Sequence, residues 1–238
     1  MKQFAIIGLA PFGIRMLEQL SLITRDIIII DKNPDVINLY KDLAREAFIM
    51  DAVNEKVLYK IIPPEIDAAI LDLGSSLEAA IMVTNYLKKL QVKEIIVKAD
   101  NDQQGDVLKI VGATKVVFPD QETAKSLTPL LASASLFKYM PVSTTLVMAE
   151  LLIPPDLAGK TAREANVRKN YGINIIAIRH ENEKEFQMLP HADYVFLPDD
   201  VILVAGIPSK IQALVAEGEV EHASGLRNFF KFMFSSRL

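Results

Sequence analysis

Along residues 1–120 the hydrophobic positions fall into short solid runs, separated by stretches with apolar residues at helical spacing. KQFAIIG (Lys2–Gly8) predicts a buried strand and Gly13–Leu22 a helix. DIIIID (Asp26–Asp31) predicts a strand more strongly, because consecutive β-branched residues are stiff at χ1 and suit a sheet covered on both faces. Asn33-Pro34 then supplies an N-cap and a first-turn proline for a helix running to about Ala44. Ala47–Met50, Ala68–Leu73, Glu94–Ala99 and Lys115–Phe118 predict further strands. Helices at Asn54–Lys60, Ser76–Leu90 and Asp102–Val111 separate them, with Ser76 a simple N-cap. This alternation with short connections predicts an α/β fold, a Rossmann-like doubly wound parallel sheet with right-handed crossovers.

After Asp120 the rhythm changes. Gln121–Tyr139 predicts one long helix closed by Pro141. Thr145–Leu152, Asn174–Arg179 and Val201–Ala205 predict strands, Thr161–Ala165 and Ser209–Glu217 helices, and His180–Glu185 a hairpin turn. The expected organisation is a nucleotide-binding N-domain over 1–140 ending in the long helix, a smaller α+β C-domain over 141–217, and a tail over 218–238. A C-domain so small has a limited core of its own and favours dimerisation. In the tail, Phe229, Phe230, Met233 and Phe234 fall at helical spacing beside Arg227, Lys231 and Arg237. That basic amphipathic pattern suits a membrane surface, a groove on a partner, or packing on the chain's own C-domain.

Composition narrows the function classes. Of 238 residues 50% are hydrophobic and 24% charged, too apolar for a disordered chain. A net charge of -4 gives no electrostatic reason to expect nucleic acid as a partner. Cysteine is absent, which excludes disulfides, thiol catalysis and cysteine metal clusters. No apolar run approaches the ~18–20 residues that span a bilayer, and the N-terminus lacks a signal-peptide layout, so a soluble, cytoplasmic protein is expected.

Candidate chemistry lies where the first strand meets the first helix. Gly8-Leu9-Ala10-Pro11-Phe12-Gly13 resembles the glycine turn of dinucleotide-binding folds, in which helix amides and the positive dipole end face a pyrophosphate. Ala10 stands where the second glycine would lie, and its methyl is a small obstacle to phosphate approach. Asp31 ends the second strand, where a carboxylate accepts hydrogen bonds from ribose hydroxyls and disfavours the 2′-phosphate of NADP; it also reads as a cap on the following turn. Lys32, Asp51-Ala52, Leu73-Gly74-Ser75 and Lys98 follow or end neighbouring strands and describe a polar rim, although each alone also reads as a loop or cap residue. A bound nucleotide and an empty Rossmann fold both remain open. His180, His191 and His222 lie in polar turns or the tail and read as solvated. No nucleophile elbow, Walker loop, metal-ligand cluster or dehydrogenase acid–base residue is apparent, so no catalytic residues are assigned.

Taken together, residues 2–217 resemble the cytosolic regulators of Ktr/Trk-type potassium uptake systems, built from an RCK N-domain and an RCK C-domain. The resemblance rests on Ile6-Ile7-Gly8-Leu9 with Phe12-Gly13, on Val97-Lys98-Ala99, and on Ile110–Asp120 (IVGATKVVFPD). In the C-domain it rests on Ile153-Pro154-Pro155, Leu157–Thr161 (LAGKT), Arg168–Ile178 (RKNYGINIIAI) and Pro198–Gly206 (PDDVILVAG). It implies a non-enzymatic sensor in which ATP, ADP or NAD(H) in the crevice reshapes a ring of dimers and so gates a membrane potassium-translocating subunit. The helix before Pro141 then matches the family's crossover helix. The family often carries Gly-Arg where this chain has Ala10-Pro11, so the residue that can reach a triphosphate is missing and discrimination of ATP from ADP by that route is in question. Asp120 stands where Glu is common and keeps a ligand for a divalent cation. Some members bind cyclic di-AMP at the C-domain dimer interface, and Arg168, Asn174, Ile175 and Ile176 match those positions; the two isoleucines also read as ordinary buried strand residues. A small NAD-dependent oxidoreductase is the alternative function.

Overall fold

The computed structural model describes residues 2–188 and 191–218. The chain divides into two compact units, Met1–Asp120 and the chain from Gln121 onward. The expected amphipathic tail and His222 lie outside the described residues.

Unit 1 is a six-stranded sheet of β1 (Phe4–Ile7), β2 (Ile27–Asp31), β3 (Glu46–Ile49), β4 (Ala68–Leu71), β5 (Glu94–Lys98) and β6 (Lys115–Val117). All pairs are parallel, in the order β3-β2-β1-β4-β5-β6. Five helices connect them: α1 (Pro11–Ser21), α2 (Pro34–Tyr40), α3 (Glu55–Ile61), α4 (Leu77–Lys89) and α5 (Asp102–Val111). Successive side chains of a strand face opposite ways, and the core follows that rule. Ile28 and Ile30 pack with Ala5, Ile7, Leu58 and Val83 on one face. Ile27 and Ile29 pack with Ile6, Leu17 and Ile37 on the other. Four helices begin on a side-chain cap: Asn33, Asn54, Ser76 and Asn101 each accept a backbone N–H from the first turn. β1 lies between β2 and β4, so the chain turns to opposite sides at this point, and a crevice opens at the carboxyl ends of these strands.

Beyond β6 the chain forms α6 (Pro119–Ala132), β7 (Leu136–Pro141), β8 (Val147–Leu152), α7 (Ala162–Ala165), α8 (Val167–Tyr171), β9 (Asn174–His180), β10 (Gln187–Met188), β11 (Asp200–Gly206) and α9 (Pro208–Gly218). The sheet of unit 2 is antiparallel, in the order β10-β9-β11-β8-β7. The expected helix over Gln121–Tyr139 is corrected here: it stops at Ala132, and Leu136–Pro141 is a strand. Leu136 and Tyr139 are the buried residues of β7, three apart as on a helix face, but a bulge between Leu136 and Lys138 produces that spacing. His180 is also corrected. β9 runs one residue further than expected and sets His180 opposite Asp200, with Nδ1 2.9 Å from the fully buried Oδ1.

Polar groups organise unit 2. The Arg179 guanidinium pairs with the Glu150 carboxylate across the sheet. It also donates to the carbonyls of His180, Glu181 and Glu183, holding the hairpin turn that joins β9 to β10. Asp200 Oδ2 accepts the Tyr194 hydroxyl at 2.9 Å and the Leu197 amide at 2.8 Å. Burial, aided by that bond, pushes the Tyr194 phenol up to about 12.

Candidate functional site

The crevice of unit 1 has a volume of about 400 Å³. Its floor is the turn leaving β1. Gly8 adopts φ +85°, and a Cβ there would sit 2.1 Å from the Asp72 carbonyl oxygen. A Cβ on Gly13 would meet the Gly8 carbonyl at 2.3 Å, so the glycines allow α1 to close onto the turn. Ala10 is the N-cap of α1 and Pro11 its first residue, where a missing N–H costs no helical bond.

Most amides of the turn are already engaged. Gly8 N–H bonds the Ile30 carbonyl at 2.8 Å, Leu9 N–H bonds Asp31 Oδ2 at 2.6 Å, and Gly13 N–H bonds Asp72 Oδ2 at 2.9 Å. Pro11 has no donor, which leaves Ala10 and Phe12 outside these contacts. Asp31 is held from both sides, its Oδ1 accepting Asn33 N–H at 2.8 Å. It thus caps the turn as one reading expected, yet lines the crevice and retains lone pairs on both oxygens for a ribose.

Of the residues singled out from sequence, Gly8, Leu9 and Ala10 line the crevice beside Asp31 and Lys32. Asp51, Ala52, Leu73 and Gly74 complete its wall. Pro11, Phe12, Gly13, Ser75 and Lys98 do not line it. The Lys98 amine bonds Asp100 at 2.6 Å, and that bond holds its pKa above the ordinary lysine value, with Asp72 and Asp120 adding to the effect through space. Sequence reasoning missed Asp72, which leaves the end of β4 and is 2% exposed. Its Oδ1 is buried and accepts no hydrogen bond. The signal was a carboxylate inside the apolar run AAILDL, read there as strand interior.

In unit 2, Arg168, Asn174 and Ile175 meet at an open depression of about 390 Å³ with Arg163 and Asn166; Ile176 does not line it. Ile175 and Ile176 are half-buried on β9. Asp120 is exposed, on the first turn of α6. It belongs to no cluster of three metal-ligating side chains; among the described residues the one such cluster is His180, Asp199 and Asp200.

A glycine-turn crevice at the switch point of a parallel sheet, followed along the chain by an antiparallel α+β unit, defines a Rossmann-type domain and a second, smaller domain. Comparison with known proteins gives the family. The TrkA-N domain model matches residues 4–119 and the TrkA-C domain model residues 148–217. Ktr system potassium uptake protein C of Bacillus subtilis (strain 168) is 34% identical over 205 residues, covering 86% of this chain and 92% of that protein. Ktr system potassium uptake protein A of the same organism is 28% identical, covering 91% and 97%. The chain belongs to this TrkA-N/TrkA-C family of Ktr potassium uptake proteins. Its fold matches the GsuK channel with a TM-score of 0.62 at 18% identity, over 98% of this chain and 44% of that one. A structure of the GsuK channel bound to NAD gives 0.60 at 21% identity, over 92% and 40%.

Proposed function

We propose that this protein is a nucleotide-sensing regulatory subunit that gates a membrane potassium-translocating partner and is not an enzyme. The observation that carries the reading is the crevice at the β1/β4 switch point of a chain in the Ktr family. An adenine nucleotide fits there with its ribose on Asp31 and its phosphates toward Ala10 at the N-terminus of α1. NAD(H), ADP and ATP share that adenosine portion, and the NAD-bound GsuK channel supports a dinucleotide. Regulation then follows from differential affinity: the nucleotide favours one geometry of a homo-oligomeric ring, and the ring transmits it to the partner. The oxidoreductase alternative loses ground to the family membership.

Three finer assignments belong to the same proposal. The depression at Arg168, Asn174 and Ile175 takes cyclic di-AMP, with the guanidinium toward phosphate. Asp120 serves a divalent cation only alongside nucleotide phosphates, as a lone carboxylate does for Mg²⁺. Among the described residues no helix is long and apolar enough to cross a membrane, which accords with cytoplasmic, peripheral attachment through the partner.

Calorimetry with NAD⁺, NADH, ADP and ATP tests the crevice. Asp31→Asn is expected to weaken adenine nucleotides by about 1–3 kcal/mol, through loss of charge-assisted bonds to the ribose. Unchanged affinity would place the ribose elsewhere. NADH turnover with any hydroxy- or keto-acid would overturn the regulatory reading.

A further inference from the structure

Resting on the nucleotide reading of the crevice, we infer that Asp72 is a built-in anion at the phosphate end of the site and sets its preference toward ligands of low phosphate charge. α1 is an eleven-residue helix whose N-terminus opens on the crevice, and such an end attracts anions through free amides and its dipole. In this chain a carboxylate already stands there. Asp72 Oδ2 takes the Gly13 amide, one of the first-turn donors. Oδ1 is buried without a hydrogen bond, on a residue that lines the crevice. Asp31 takes a second amide of the same turn, and Pro11 removes a third donor. Lys98, whose amine feels Asp72 through space, is bonded to Asp100 and does not line the crevice.

A phosphate entering this turn meets fewer donors and a fixed negative charge at short range in a poorly solvated place. Coulomb repulsion there grows with each charge the ligand adds. ATP carries one more negative charge than ADP, and ADP one more than the internal pyrophosphate of a dinucleotide. The crevice therefore ranks NAD⁺ above ADP and ADP above ATP, while uncharged adenosine is indifferent to Asp72.

The test is calorimetry on the full chain, with divalent cations chelated, using adenosine, NAD⁺, ADP and ATP against the wild type and Asp72→Asn. Asparagine keeps the shape and an acceptor for the Gly13 amide but removes the charge. The wild type is expected to bind in the order NAD⁺, ADP, ATP. Asp72→Asn should leave adenosine within about twofold and tighten ADP and ATP by roughly threefold to tenfold, ATP the most. Equal gains for every ligand, adenosine included, would mean a loosened loop and overturn the charge argument. So would a wild type that binds ATP more tightly than NAD⁺. If Asp72→Asn does not fold, Asp72→Ser and the wild-type order decide the matter. If neither protein binds any of the four ligands, the nucleotide reading itself fails, and this inference with it.

Discussion

The two units bury their interiors by different chemistry. In unit 1 the sheet is covered on both faces, and Ile27, Ile28, Ile29 and Ile30 are each almost wholly shielded from water. Its buried polar residues are Thr24, Thr84 and one carboxylate, Asp72, which stands at the crevice. In unit 2 the central strands are also apolar, yet they carry Glu150 and Asp200, 8% and 0% exposed. Glu150 is held by Arg179, and Asp200 by the Tyr194 hydroxyl and the Leu197 amide. Apolar burial gains roughly in proportion to area and tolerates a range of partners. Buried charge is costly unless its particular partner is present. Unit 1 is thus specified by pattern, and unit 2 by pairing.

The largest effect should come from breaking a pairing in unit 2. Arg179→Met keeps much of the side-chain volume but leaves Glu150 without its cation, which is expected to cost about 3–5 kcal/mol. Adding Glu150→Leu should recover most of that loss, because a well-packed apolar pair replaces a buried ion pair at little cost. Hydrogen exchange is the suitable readout: amides of β8, β9 and β11 should lose protection while those of β1, β2 and β4 keep theirs. Loss spread evenly over both sheets would dissolve the contrast between the units.

Unit 1 should break through shape alone. Gly8→Ala adds one methyl where φ is +85° and the Asp72 carbonyl lies 2.1 Å away. Strain at a left-handed position together with a backbone clash should destabilise by about 3 kcal/mol. Chemical denaturation would show it, and a loss below about 1 kcal/mol would mean that the turn relaxes without harm. No polar partner is removed by this change, so no second-site charge variant should rescue it, in contrast to Arg179→Met.

The same contrast explains what could be read beforehand. The strands of unit 1 announced themselves because two covered faces leave an unbroken apolar run, as in the four isoleucines of β2. The turn at Gly8 and the carboxylate ending β2 marked the crevice for the same reason: each sits at the end of a visible run. β7 was illegible because a bulge gave Leu136 and Tyr139 a helical spacing. Asp72 was hidden by its apolar neighbours, since only the close approach of the Gly13 amide distinguishes it from a strand residue. His180 was placed in a turn because the residue it faces, Asp200, lies on the adjacent strand and far along the chain. Pairings of that kind have no period.

The smallest effect, and the finest test, concerns a local pairing that a sequence can announce. Thr161 and Glu164 form a capping box on α7: the Thr161 hydroxyl accepts the Glu164 amide at 3.2 Å, and Glu164 Oε2 accepts the Thr161 amide at 2.9 Å. Thr161→Ala removes one acceptor for a first-turn amide and should cost about 1 kcal/mol, while Thr161→Ser should cost less because it keeps the hydroxyl. Acid should narrow the difference, because the Thr161 hydroxyl also donates to the Glu164 carboxylate at 2.8 Å. The Thr161 amide, then its hydroxyl, hold the Glu164 carboxyl below its ordinary value of 4.5. A depressed pKa means that the carboxylate's contribution is present above about pH 4.5 and is lost as the pH falls through the folded value. The gap between wild type and Thr161→Ala should therefore be widest near neutrality and shrink below pH 4.5, read by thermal melts across that range. Because α7 and Asn166 wall the depression at Arg168 and Asn174, the variant should also loosen any cyclic dinucleotide held there, by no more than the same factor. A gap independent of pH would show that the threonine acts through its cap on the Glu164 amide alone, and the reciprocal bond to the carboxylate would then contribute nothing.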